Sequence, residues 1–309
     1  MSYQFELEKG STKHICPACR KKVFVRYVDT ETGQYIADDV GRCDREIKCS
    51  YHLKPGEYFH LTGENPLRKR LLRNDLLTRS IKVPDEKPVY VPDVLFRGSL
   101  QHYEENMFFR YLVQLFGTDK AEELCAWYCV GTTKHWDGAC VFWYLDDSGR
   151  VTRGKVMLYD NTGHRVKGCT NSVHSLMKLG ALPELHLYGL HLLRLDKTLP
   201  VAIVESEKSA ILAAGHLKDF IWMATGSLST LTAERLQPLQ GREIVLFPDG
   251  GAFEKWQEKA ESMSRKFSIR CSDVLERCLS DEQRKVGYDI GDVIANECSA
   301  FRNKIAQLD

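Results

Sequence analysis

From Leu199 onward the chain alternates short, wholly apolar runs with longer amphipathic ones. LPVAIVE (residues 199–205), FIWMATG, EIVLFPD and SIRCSDVL read as strands buried on both faces, too short and too rich in β-branched residues for helices. Between them, Lys208 to Leu217 (with Gly215 near its end), LTAERLQPL and FEKWQEKAESMSRKF have helical composition, and a last helix is expected near Ile290. Strands alternating with helices of this length predict a parallel sheet covered by helices on both faces, within an α/β fold. The first 60 residues differ in texture, with short alternating stretches such as Val23 to Val28 and a hairpin turn expected at Glu31-Thr32-Gly33. Residues 61 to 95 are polar and basic and end in the proline-punctuated VPDEKPVYVPD, which reads as an extended linker. Residues 96–196 read as an α+β region and 197–309 as the α/β domain.

Composition changes this picture little. Of 309 residues, 43% are hydrophobic and 28% charged, as in ordinary globular proteins. No apolar run approaches the ~20 residues that a membrane span needs. The opening MSYQFELEKGSTKH lacks the apolar core of a secretory signal, so a cytoplasmic location is expected. A net charge of +1 gives no overall attraction to phosphate. A nucleic-acid partner would have to be met by local patches, such as Arg68, Lys69, Arg70 and Arg73, which read equally well as a solvated helix face.

The apolar strands place acids where sites form in open parallel sheets, beyond the carboxyl ends of the strands. Glu205 ends the first strand and Asp249 ends LFPD, while Asp289 and Asp292 (GYDIGDV) follow the fourth strand at a loop-to-helix junction. Acids converging on one sheet edge suit a hard divalent cation such as Mg²⁺ or Mn²⁺, which takes oxygen ligands, waters and substrate phosphates. Asp289 or Asp292 alone reads as a turn former or helix cap; Glu205, a poor cap after four apolar residues, does not.

Eleven cysteines in a chain of this kind point to metal binding or burial rather than disulfides. Cys16 and Cys19 form a C-x₂-C knuckle, and Cys43 and Cys49 supply a second pair after the hairpin. That spacing predicts a zinc ribbon held by four thiolates. Cys49-Ser50-Tyr51-His52 leaves open an alternative set using His52. The ribbon displays Arg26, Tyr27, Tyr35, Arg42, Arg45 and Lys48, groups suited to stacking bases and meeting phosphates on single strands, or to a purely structural scaffold. The other seven cysteines, Cys298 among them, lack ligand spacing and read as buried small hydrophobes.

Taken in order, these segments resemble bacterial-type DNA primases and their toprim domain. VAIVESEKSAILAAG resembles the first toprim motif, a strand, a Glu and a helix; VLFPDGGAFEKW resembles the Asp-x-Asp motif; GYDIGDVI resembles the third element. ATGSLSTLTAERLQPLQG, HLYGL and FWYLDDSGRVTRGKVMLYD resemble intervening and preceding primase segments, and the ribbon resembles the module before primase cores. The resemblance implies a primase-like core ending in a toprim domain. It implies nucleotidyl transfer on single-stranded DNA in a replication or mobile-element setting, with nucleoside triphosphates as substrates and a helicase or replication factor acting in trans. It implies Glu205, Asp249, Asp289 and Asp292 as catalytic acids, with Mg²⁺ on Glu205, Asp249 and Asp289. Lys208, Arg153, Lys155, Arg165 and Lys167 become nucleotide- or template-binding groups. Two positions depart from the family: Gly251 stands where the second Asp is usual, and Ser209 where many primases carry another acid. Two other readings therefore stand beside transfer, a metal-dependent nuclease on the same fold and a non-catalytic single-strand-binding accessory.

Overall fold

A computed structural model describes residues 4–30, 32–45, 48–49, 51–62 and 87–296. The basic run Arg68, Lys69, Arg70 and Arg73, most of the expected linker, and Cys298 lie outside these residues. The chain divides into two compact units, Met1–Pro84 and Asp85–Asp309.

The first unit is a five-stranded antiparallel ribbon. Its strands are β1 (Phe5–Leu7), β2 (His14–Ile15), β3 (Lys22–Asp29), β4 (Gly41–Cys43) and β5 (His52–Leu53), followed by helix α1 (Pro55–Thr62). The expected hairpin forms, but its return strand pairs farther along than the turn suggests: Phe24 faces Cys43 and Arg26 faces Gly41, while near the turn Tyr35 forms an isolated bridge to Val28. Gly41 has a steric reason, since a Cβ there would lie 2.2 Å from the Val25 carbonyl oxygen.

Buried hydrophobic side chains in this unit are few, with Cys16, Phe24 and Cys43 at the centre. The four thiols of Cys16, Cys19, Cys43 and Cys49 lie within 4.8 Å of one another. Sγ–Sγ separations are 3.7 Å for Cys16–Cys49 and 3.9 Å for Cys19–Cys43. A tetrahedron with Zn–S bonds of about 2.3 Å has edges of roughly 3.8 Å, so the cage fits zinc. His52 is not part of it. Its Nε2 meets the Tyr27 hydroxyl at 3.0 Å and the two rings stack, which decides between the two ligand sets in favour of four cysteines.

The second unit contains two four-stranded sheets. One is antiparallel in the order β6 (Val130–Thr133), β7 (Ala139–Leu145), β8 (Val151–Tyr159), β9 (Arg165–Ser172). Helices α2 (Asp93–Ser99), α3 (Met107–Phe116) and α4 (Thr118–Trp127) precede it, and α5 (Val173–Met177) follows. Every residue of β7 is buried. Alternation sends Cys140, Phe142 and Tyr144 into the main core and Ala139, Val141, Trp143 and Leu145 into a smaller one on the opposite face.

The other sheet is parallel and contains the expected strands: β10 (Val201–Val204), β11 (Ile221–Ala224), β12 (Glu243–Leu246) and β13 (Ser268–Cys271). All three pairings are parallel, and the spatial order is β11-β10-β12-β13. Its helices are α6 (Glu207–His216), α7 (Ala233–Leu236), α8 (Phe253–Met263), α9 (Val274–Cys278), α10 (Asp281–Val286) and α11, which starts at Ile290. Strands β10 and β11 and most of β12 are buried, which is why they read as unbroken apolar runs. The α9–α10 pair has no counterpart in the sequence expectation, because its helices are short and α10 buries no residue. No described helix is long and apolar enough to cross a membrane.

With so little apolar core, the ribbon's stability should come from the metal. Purified protein is expected to carry about one zinc per chain, measured by elemental analysis. Cys43→Ala should release it and unfold the ribbon, seen as loss of its amide signals while those of the second unit persist. His52→Ala should keep the zinc.

Candidate active site

In the parallel sheet the chain runs from β10 outward to β11, then returns past β10 to β12. The strand order therefore reverses between β10 and β12, and the loops leaving their carboxyl ends diverge to open a crevice. Glu205 follows directly after β10, and Asp249 lies three residues beyond β12. Both line a cleft of about 590 Å³, with Asp289 and Asp292 on its walls. The antiparallel sheet supplies Lys155 and Met157 from β8, Thr162 and His164 from the β8–β9 turn, and Arg165 from β9; Tyr111 comes from α3.

The four acids separate into two pairs. Among the described residues, no hydrogen-bond donor meets the carboxylates of Glu205 and Asp249. Burial and the neighbouring Asp289 raise the pKa of Glu205. Asp249 is pushed up to about 8, first by burial and then by the charges of Asp289, Glu205 and Asp292. Asp289 and Asp292 are instead fully engaged at the start of α11. Asp289 Oδ1 accepts from the Asp292 amide at 2.9 Å, and Asp292 Oδ2 from the Asp289 amide at 3.3 Å, a reciprocal cap. Asp289 Oδ2 accepts from the Ser209 hydroxyl at 2.5 Å, and Asp292 Oδ1 pairs with Lys208 Nζ at 3.2 Å. No three of the four acids bring ligand oxygens within 4.8 Å of one another, so they do not form a closed three-carboxylate cage.

The basic residues singled out from sequence are distributed unevenly. Lys155, Arg165 and Lys208 line the cleft, whereas Arg153 and Lys167 do not. The Arg153 guanidinium turns to the Pro183 carbonyl at 2.6 Å, and Lys167 is exposed on β9. On the separate ribbon, Tyr27 is stacked on His52, and the Tyr35 hydroxyl donates to Glu8 at 2.6 Å with Arg26 over its ring. Arg42 and Arg45 are half-buried, and Arg42 already has a partner.

Two buried charges at the site had no sequence signal. The Glu207 carboxylate accepts from the Tyr144 hydroxyl and takes Lys155 Nζ at 2.9 Å on both oxygens. Arg235, its pKa lowered to about 10 by burial, donates to the carbonyls of Thr225, Thr230 and His186. It thereby fixes the loop whose Gly226 amide bonds the Glu205 carbonyl at 2.8 Å. Both residues sit where ordinary first-turn and mid-helix charges would sit, so spacing alone does not mark them.

The Asp249 shift makes stability depend on pH. Its folded pKa, about 8, lies above the ordinary 3.8, so folding favours the protonated form. That contribution is complete below about pH 4 and is lost as pH rises towards 8. Without added divalent ion, Asp249→Asn should remove this loss. At pH 8 it should melt several degrees above the unaltered protein, since ~1 kcal/mol moves Tm by roughly 2–4 °C at this size. Parallel melting curves of the two proteins from pH 5 to 8 check this.

Two family models match parts of the chain: a zinc beta-ribbon finger over residues 3–64 and a domain of unknown function, DUF6371, over residues 106–250. The first spans the four cysteines; the second includes Glu205 and Asp249 and stops before Asp289. No curated protein matches the chain. Among solved structures, a DnaG catalytic core is similar at 17% identity and a TM-score of 0.47, covering 70% of this chain and 78% of that one. The E. coli primase catalytic core is similar at 15% identity and a TM-score of 0.47, again covering 70% and 78%. The primase fragment of the bacteriophage T7 primase-helicase is similar at 14% identity and a TM-score of 0.44, covering 76% and 84%.

Proposed function

We propose that the cleft is a divalent-metal site for nucleotidyl transfer, of the primase kind, acting on single-stranded DNA with nucleoside triphosphates. The observation that carries this reading is the pair of carboxylates, Glu205 and Asp249, without a donor among the described residues, at the strand-order reversal of a parallel sheet, in a cleft also walled by Lys155, Lys208 and Arg165. Carboxylates left without a donor suit a hard cation that completes its shell with water and phosphate oxygens. Mg²⁺ or Mn²⁺ bound there supplies charge stabilisation at the phosphoryl group being transferred. Lys155 and Lys208 are committed to Glu207 and Asp292, so they set the local field. Arg165 has no ion-pair partner among the described residues and is the cation free to meet a triphosphate. On the ribbon, Tyr35, Arg26 and Arg45 are the groups for a single strand, at about 1–3 kcal/mol per stacked base. A helicase or other replication factor is the kind of partner that primer synthesis on a single strand calls for.

A second reading, a non-catalytic single-strand-binding accessory, is favoured by Gly251 in place of the second acid and by the occupied state of Asp289 and Asp292.

The full chain, incubated with single-stranded DNA, labelled nucleotides and Mg²⁺ or Mn²⁺, separates these readings. Extension is the expected result. Degradation of the strand would assign a nuclease to the cleft, and retention alone would assign the accessory. Glu205→Gln should fold and bind the strand yet lose at least ~100-fold in rate, the lower range for a group in acid–base work. Asp249→Asn should behave alike and Asp289→Asn more mildly. Robust activity in Glu205→Gln would remove the cleft from the chemistry.

A further inference from the structure

We propose that this cleft takes a single divalent cation, between Glu205 and Asp249, and that the Lys208 ammonium permanently fills the position beside Asp292 and Asp289 where a second cation would sit. The inference rests on the reading of the cleft as a divalent-metal site and fixes how many ions it holds.

Three observations lead to it. The first is the division of the acids. All four carboxylate oxygens of Asp289 and Asp292 are spent on the Ser209 hydroxyl, the Lys208 ammonium and the two backbone amides of the cap. Among the described residues, Glu205 and Asp249 have no such donors. A metal at Asp289 and Asp292 would share every oxygen it took with a donor and would meet the Lys208 ammonium at Asp292; a metal at Glu205 and Asp249 meets no such competitor among the described residues.

The second observation is the lysine itself. Lys208 lies in the first turn of α6, three residues after the half-buried Glu205 that follows β10. Its side chain is 14% exposed, with Nζ 3.2 Å from Asp292 Oδ1 and 3.4 Å from the Gly163 carbonyl. Two oxygens on a buried ammonium are the kind of neighbours a hard cation takes. The position is already a cation site, and its cation is covalently attached.

The third is what surrounds Gly251. Its φ is +77°, a Cβ there would lie 3.1 Å from the Arg284 carbonyl oxygen, and its amide is bonded to Glu276 at 2.6 Å. An acidic side chain at this position would require a local backbone shift, so the loop does not supply an acid for a second ion. Ser209 acts in the same sense, since a hydroxyl donates to Asp289 where a carboxylate would repel it.

The test is the number of Mn²⁺ ions bound by the zinc-loaded full chain, read by electron paramagnetic resonance and calorimetry with Mn²⁺ alone. One ion per chain is expected, and Asp249→Asn should abolish it. Lys208→Met, which keeps the length of the side chain and removes its charge, should bind two. Two ions in the unaltered protein, or still one in Lys208→Met, would overturn the inference and leave the metal-site reading intact. No ion in the unaltered protein would overturn both. If Lys208→Met fails to fold, Asp292→Asn decides: its Mn²⁺ affinity should stay within about threefold, and a loss of tenfold or more would place the ion on Asp292 and overturn the inference.

Discussion

The second unit depends on a buried carboxylate. Glu207 is 1% exposed, and a lone ion there would cost several kcal/mol of lost hydration. It is tolerated because the antiparallel sheet supplies both partners: the Tyr144 hydroxyl from β7, and Lys155 from β8 on both oxygens. Glu207 itself opens α6, directly after the strand that carries Glu205. The two sheets are thus joined by one charged bond at the base of the cleft, and removing a partner would cost about 3–5 kcal/mol. Burial next to this carboxylate also holds the Tyr144 pKa far above its ordinary value, so the hydroxyl stays a donor.

From that junction the cleft acquires its polarity. On one side the reversal of strand order brings Glu205 and Asp249 to one cleft, with no donor among the described residues to quiet them. On the other, α11 begins on Asp289 and Asp292, which the chain uses as a cap before they can act as anything else. Ser206 and Ser209 extend the arrangement, because the Ser206 side chain caps α6 while the Ser209 hydroxyl reaches across to Asp289. The same four acids, equivalent in a linear sequence, end in two chemically different states.

The ribbon follows a different logic. With three buried residues at its centre it cannot stand on apolar burial, and its cysteines converge to the spacing of a tetrahedral ion. Its aromatic groups are drawn into local contacts: Tyr27 with His52, and Tyr35 with Glu8, His14 and Arg26. These contacts set the orientation of any face the ribbon offers to a strand.

By itself the sequence determined the parts whose physics is local. The four parallel strands are legible because a strand buried on both faces must be apolar throughout. The zinc cage is legible because four thiols in two pairs have few other uses. The positions of Glu205 and Asp249 are legible because the acid follows the strand directly or nearly so. Strand order, the α9–α10 pair, and the separation of Arg153 and Lys167 from the cleft were decided only by tertiary structure. So were the burial of Glu207 and Arg235 and the engagement of Asp289, Asp292 and Lys208. The reason is common to all of them: a charged side chain looks the same in sequence whether it faces water or a partner. Which of these it meets depends on the element packed against it, here drawn from residues 52 positions away for Lys155 and Glu207 and 84 away for Lys208 and Asp292.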